Sequence, residues 1–191
     1  MIRPLTLAAM LVAGPVSSMS AQSLPVAPRF DIRFPAASAA APLDGRLLLM
    51  LSSDSSAEPR FQIGDIGETQ LIFGIDVDGW GAGRPKTVDA KVFGYPIASL
   101  KDVPAGRYRV QALLNRYETF HRADGKVVKL PPDQGEGQQW SRKPGNLYST
   151  PAWITWDPKR PAVFRVMLDQ VIAPLAPPVE TKYVKYERIQ S

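Results

Sequence analysis

Apolar residues in this sequence come in short runs, and each run is closed by proline, glycine or aspartate before it reaches the length of a packed helix. Such runs recur at Phe30 to Phe34, Gly45 to Leu51, Leu71 to Val77, Thr87 to Phe93, Arg107 to Leu114, Trp153 to Trp156 and Val163 to Leu168. Their length and spacing predict strands. Within Arg107 to Ala112, Tyr108, Val110 and Ala112 fall on one face and Arg107, Arg109 and Gln111 on the other, the pattern of a half-buried antiparallel strand. Gly45 to Leu51 is apolar on both faces, as a central strand beneath a second sheet would be. No segment sustains a helical period, the nearest being a short turn around Ile97 to Val103. The expected fold is all-β, a β-sandwich of the immunoglobulin or fibronectin kind.

The chain has 191 residues, enough for one core without staples, and it contains no cysteine. That excludes disulfides, a thiol nucleophile and thiolate metal sites. At the N-terminus, Arg3 precedes an uncharged run to Ser23 whose apolar heart is Leu5 to Val16. A Gly14-Pro15 break and small residues follow, which predicts a signal peptide over 1–23 cleaved after Ser20 or Ser23. A membrane anchor would need about 20 apolar residues, and Gly14, Pro15, Ser17 and Ser18 cut this run short. The expected location is therefore periplasmic or secreted, with no membrane attachment after cleavage. The net charge of +5 falls by one to +4 when Arg3 leaves. Its lysines and arginines are dispersed, so no nucleic-acid partner is expected.

The domain expected over 24–172 contains two stretches outside the strand pattern. Ser52 to Gln70 is a polar connection. Asn115 to Pro151 is a long irregular loop in which only Val127 to Leu130 resembles a strand, and an irregular segment of that length is functional or hides an element. Over 173–191, Ala173 to Pro178 forms a stiff proline-rich linker, and Lys182 to Ile189 reads as a terminal strand with nothing after it to pair with.

Catalytic chemistry finds little to work with. The Gly-x-Ser-x-Gly turn of α/β-hydrolases is absent, and His121 is the only histidine. The sequence His121 to Gly125 suits a hairpin turn, with Asp124-Gly125 supplying positive φ angles. One histidine and no cysteine argue against zinc. Asp76-Val77-Asp78-Gly79 has the start of a calcium loop without its later ligands, and Gly135-Glu136-Gly137 is too short for a phosphate cradle. No catalytic residue, metal or cofactor is expected. The candidate binding or interdomain surface is the long loop, through Tyr117, His121, Asp124, Asp133, Glu136, Trp140, Arg142, Asn146 and Tyr148, where aromatic bodies mix with Arg and acids. The same residues could instead pack the loop onto a sheet edge.

The runs Asn115 to Gly125, Asp133 to Gln138 and Pro144 to Ser149 resemble the N-terminal domain of a group of bacterial secreted esterases. Arg46 to Leu51, Gly74 to Asp78, Pro104 to Asn115 and Pro177 to Ser191 also look like that domain, so the resemblance spans essentially the whole mature chain. In that family an α/β-hydrolase domain similar to enterochelin esterases comes next and carries the nucleophile, and this sequence ends about where it would begin. The resemblance implies a non-catalytic accessory domain whose partner is a hydrolase in cis or in a neighbouring chain. Two other expectations stand beside it: a stand-alone periplasmic module binding carbohydrate or peptide through Tyr117, Trp140 and Tyr148, and a hydrolase acting through His121.

Overall fold

A computed structural model describes residues 27–65, 69–133, 137–176 and 179–187. The expected signal peptide and Glu136 lie outside the described residues. The chain is all-β, with several sheets in an arrangement compatible with a sandwich. Its strands are β1 (Arg29–Arg33), β2 (Leu43–Ser52), β3 (Leu71–Trp80), β4 (Lys86–Val88), β5 (Gly94–Tyr95), β6 (Gly106–Arg116), β7 (Glu118–His121), β8 (Val127–Leu130), β9 (Leu147–Tyr148), β10 (Ala152–Trp156), β11 (Val163–Met167) and β12 (Gln170–Val171).

A small sheet runs β11-β1-β4, with β1 parallel to β11 and antiparallel to β4. The large sheet runs β12-β9-β6-β2-β3-β5, and β10 pairs with β6 beside β9. Leu47, Leu49 and Leu51 of β2 alternate toward the core and meet Leu114, Ala112 and Val110 of β6 in register. Phe30 and Ile32 of β1 and Val88 of β4 close that core from the small sheet. Phe30 stacks on Trp156 at 5.5 Å and on Phe164 at 5.1 Å, and Phe34 meets Trp80 edge-on at 4.9 Å. Offset and edge-on rings add to the area they bury. The indole N–H of Trp80 donates to the Arg84 carbonyl at 2.8 Å.

Several expectations are corrected. The strand expected over Thr87 to Phe93 is Lys86–Val88 alone, because the Asp89 carboxylate accepts from the Lys91 amide at 2.9 Å and its carbonyl accepts from the Val92 amide at 3.1 Å. An aspartate that folds the chain back on itself ends the ladder. The long irregular loop holds the hairpin β7–β8 and the short strand β9. Its turn is built on Gly125 alone, at φ +80°, and Asp124 stays out of the left-handed region. The terminal strand is absent among the described residues 182–187. There the Thr181 hydroxyl accepts from the Tyr183 and Val184 amides at 3.2 and 3.1 Å, and the Thr181 amide donates to the Val184 carbonyl at 3.0 Å. That local turn takes up backbone groups a strand would have needed. The turn expected around Ile97 to Val103 is a 3-10 turn over Leu100–Asp102, started by Ser99.

Candidate functional site

The outer face of the large sheet is set by strand register. In β2 and β6 the residues opposite the core are Arg46, Leu48 and Met50, with Asn115, Leu113 and Gln111 directly across from them. Sequence alternation alone would leave Gln111 in water. It is instead fully buried. Its amide oxygen accepts from the Arg60 amide at 3.0 Å, and its nitrogen donates to Glu58 at 2.8 Å and to the Ser149 carbonyl at 3.0 Å. A 3-10 turn over Pro59–Phe61 thus lies across β6, and Met50 and Leu113 are buried on the same face.

Arg60 anchors that cover. It pairs with Glu58 at 2.9 Å, and its guanidinium sits 4.0 Å from the Tyr148 ring centroid and 4.5 Å from that of Phe61. Arg142 lies over Phe61 at 4.7 Å. Two guanidinium groups and two rings therefore form one stack, in which the positive charges satisfy the ring faces. Tyr148 and Arg142 belong to it. Sequence reasoning missed Glu58, Arg60, Phe61 and Gln111, although an Arg-Phe pair set behind a proline inside a polar connection was the available signal.

Asn146 is buried and acts as a bracket. Its oxygen accepts from the Arg116 amide at 2.9 Å, and its nitrogen donates to the Trp140 carbonyl at 2.8 Å and to the Asn115 side chain at 3.2 Å. Trp140 is half-buried, and Lys143 beside it reaches the Arg116 carbonyl at 2.6 Å. Asp133 lies exposed after β8.

The remaining predicted residues sit elsewhere. Tyr117 is half-buried near Arg46 and Asp76, and burial, with Asp76 adding to it, pushes its phenol up. His121 is exposed at the end of β7, and among the described residues no hydrogen bond links its imidazole to a serine or a carboxylate. Asp124 is spent on the turn, accepting from the Lys126 amide at 3.2 Å and pairing with Arg122 at 3.1 Å. The hairpin is tied to the sheet through Lys129, which pairs with Asp44 at 2.7 Å and with Asp78. The Lys129 hydrogen bond, then the Gly79 amide, hold Asp44 below the usual carboxylate range. Asp76 is taken by Arg46 at 3.0 Å. Each carboxylate of the would-be calcium loop is thus paired with a cation, and among the described residues no cluster of His, Asp or Glu could hold a metal.

Two features lie outside the predicted set. The first is a depression of about 230 Å³ on the outer face over β2, β3 and β5, lined by Arg46, Leu48, Ile72, Gly74, Phe93 and Tyr95. Phe93 is 71% exposed and Tyr95 45%. The second is the side of the sandwich where, among the described residues, β10 and β11 each have a partner on one side only. A cleft of about 260 Å³ opens there, lined by Phe30, Val110, Ile154, Phe164, Val166 and Asp169 among others. Trp153 and Met167 are exposed on those strands, 41% and 47%. Comparison of the chain with protein families, with curated proteins and with solved structures found no match.

Proposed function

We propose that this chain is a non-catalytic accessory domain of an exported esterase-like protein and that it docks a hydrolase domain across the β10–β11 opening. The observation that carries the proposal is that opening: two strand edges with no outer partner among the described residues flank an apolar cleft. Unpaired edges beside apolar surface invite another chain unless they are covered. Asp169 lines the cleft, and β12, which follows at once, is the last strand among the described residues. The N-terminal Arg3 and Leu5 to Val16 pattern supports export, and the resemblance of the runs 115–125, 133–138 and 144–149 to N-terminal domains of secreted esterases supports the association.

The alternative in which His121 acts as a general base gains no support from its position, since a base needs an oriented partner within hydrogen-bond reach. The purified chain is expected to hydrolyse p-nitrophenyl acetate and butyrate no faster than buffer, to remain unlabelled by a serine-directed fluorophosphonate, and to be unchanged by His121→Ala. A labelled serine, or turnover abolished by that substitution, refutes the non-catalytic reading. A second reading, a periplasmic ligand-binding module, is favoured by the uncovered rings of Phe93 and Tyr95.

A further inference from the structure

We infer that the depression over β2, β3 and β5 is a subsite for a neutral oligosaccharide, with Phe93 and Tyr95 stacking on sugar rings and the Arg46–Asp76 pair binding hydroxyls. The inference stands apart from the accessory-domain proposal and holds whether or not a hydrolase follows.

The geometry begins with Gly94. It is buried and faces inward, opposite Phe73 in register, and a Cβ there would overlap the Phe73 ring and come within 2.8 Å of the Ile72 carbonyl oxygen. Alternation along a strand then projects Phe93 and Tyr95 from the opposite, outer face, about 7 Å apart at two residues of rise. Tyr95 lies across from Ile72, and the Phe93 carbonyl accepts from the Gly74 amide at 3.2 Å, so both rings border the depression. Gly74 leaves its floor open for the Arg46 side chain, which crosses there: a Cβ on Gly74 would come within 2.9 Å of the Arg46 Nε. Arg46 holds Asp76 through one nitrogen at 3.0 Å, and the Asp76 side chain is 68% exposed. A guanidinium has five N–H donors and a carboxylate about four acceptor sites. Arg46 lines the depression at 38% side-chain exposure, and the Asp76 carboxylate paired with it is largely open to water.

Those components select the ligand class. A pyranose offers an apolar C–H face to an aromatic ring and hydroxyls that both donate and accept at its edge. An apolar protein surface would cover the rings equally well, but it would strip water from Arg46 and Asp76 without replacing those hydrogen bonds, a costly exchange. Vicinal hydroxyls replace them. The pair carries no net charge, so nothing in the depression selects an anionic sugar. Its volume of about 230 Å³ lies below the range of about 300–1,000 Å³ typical of sites for drug-sized ligands. One sugar ring held firmly, with a second against the neighbouring aromatic, fits that size.

The test is calorimetric titration of the purified chain with maltohexaose, cellohexaose, xylohexaose and laminarihexaose, alongside Phe93→Ala, Tyr95→Ala and Arg46→Met. Trp153→Ala, on β10, serves as the control. Thermal melts establish that each variant is folded, which the exposure of both rings favours. At least one hexaose is expected to bind with a Kd in the range of about 0.1–5 mM, to weaken about tenfold or more in each of the three site variants, and to be unaffected by Trp153→Ala. Absence of binding by all four sugars at about 10 mM overturns the inference, as does binding that survives the Phe93→Ala, Tyr95→Ala double variant. Self-association of the wild-type chain that Phe93→Ala abolishes would assign the face to a second copy instead, and also overturns it.

Discussion

Replacing Gln111 by leucine keeps the volume of a buried side chain and removes all of its polar atoms. Gln111 makes three hydrogen bonds, with the Arg60 amide, Glu58 and the Ser149 carbonyl. A neutral bond contributes about 1 kcal/mol net and one to a charged group about 1.5–3 kcal/mol. Glu58 keeps its Arg60 partner and is partly open to water, which places its share at the low end. The three together give a loss of about 3–4 kcal/mol with no cavity to add. For a chain of this size that corresponds to a melting temperature lower by about 6–16 °C. Equilibrium urea unfolding measures the loss, and hydrogen exchange at the Arg60 amide reports locally, since that donor loses its acceptor and the turn over Pro59–Phe61 loses its hold on β6. A Gln111→Leu variant within about 0.5 kcal/mol of wild type, with the Arg60 amide still protected, would refute the view that this side chain fastens the cover to the sheet.

Asn146→Ala strands the Arg116 amide and the Trp140 carbonyl and is expected to cost about 2–4 kcal/mol in urea unfolding, with Trp140 emission moving toward that of exposed indole. Gly94→Ala forces the Phe73 ring or the Ile72 carbonyl to move, so a loss of about 2 kcal/mol or more is expected with faster exchange of the Gly74 amide, which donates to Phe93. Lys129→Met is expected to lower exchange protection across β7–β8 while leaving β2 and β6 protected. In the wild-type chain the lowered pKa of Asp44 makes its share of that tie complete above the ordinary aspartate value and lost as pH falls through the lower folded value. The raised Lys129 value keeps the cation's share through neutral pH, to be lost only as pH rises through that raised value. Hairpin protection factors measured between pH 7 and about 3 should thus fall at the acid end, and that fall should be absent in Lys129→Met.

The sequence by itself determined the strand inventory of the core. Leu47, Leu49 and Leu51 alternate because side chains alternate across a strand, Asp124-Gly125 announces a turn because glycine accepts the left-handed backbone, and proline and glycine stop each run short of a helix. These are local effects, written within a few residues. The weaker strands β5, β7, β9 and β12 are short or polar and exist because a neighbour offers a ladder, which no window of sequence contains. The same holds for the surface. Tyr117, His121, Trp140, Arg142, Asn146 and Tyr148 looked like one recognition loop, yet the fold turns Asn146 into a buried bracket, covers Tyr148 with Arg60 and leaves His121 exposed on a hairpin. Phe93, read as the end of a strand, and Tyr95 beyond it became the exposed rings because Asp89 ended β4 early and Gly94 had to face Phe73. Alternation says which residues share a face. Only the packing of segments distant in sequence, here 58–61 and 140–148 against β6, decides which half of that face meets protein and which half meets water.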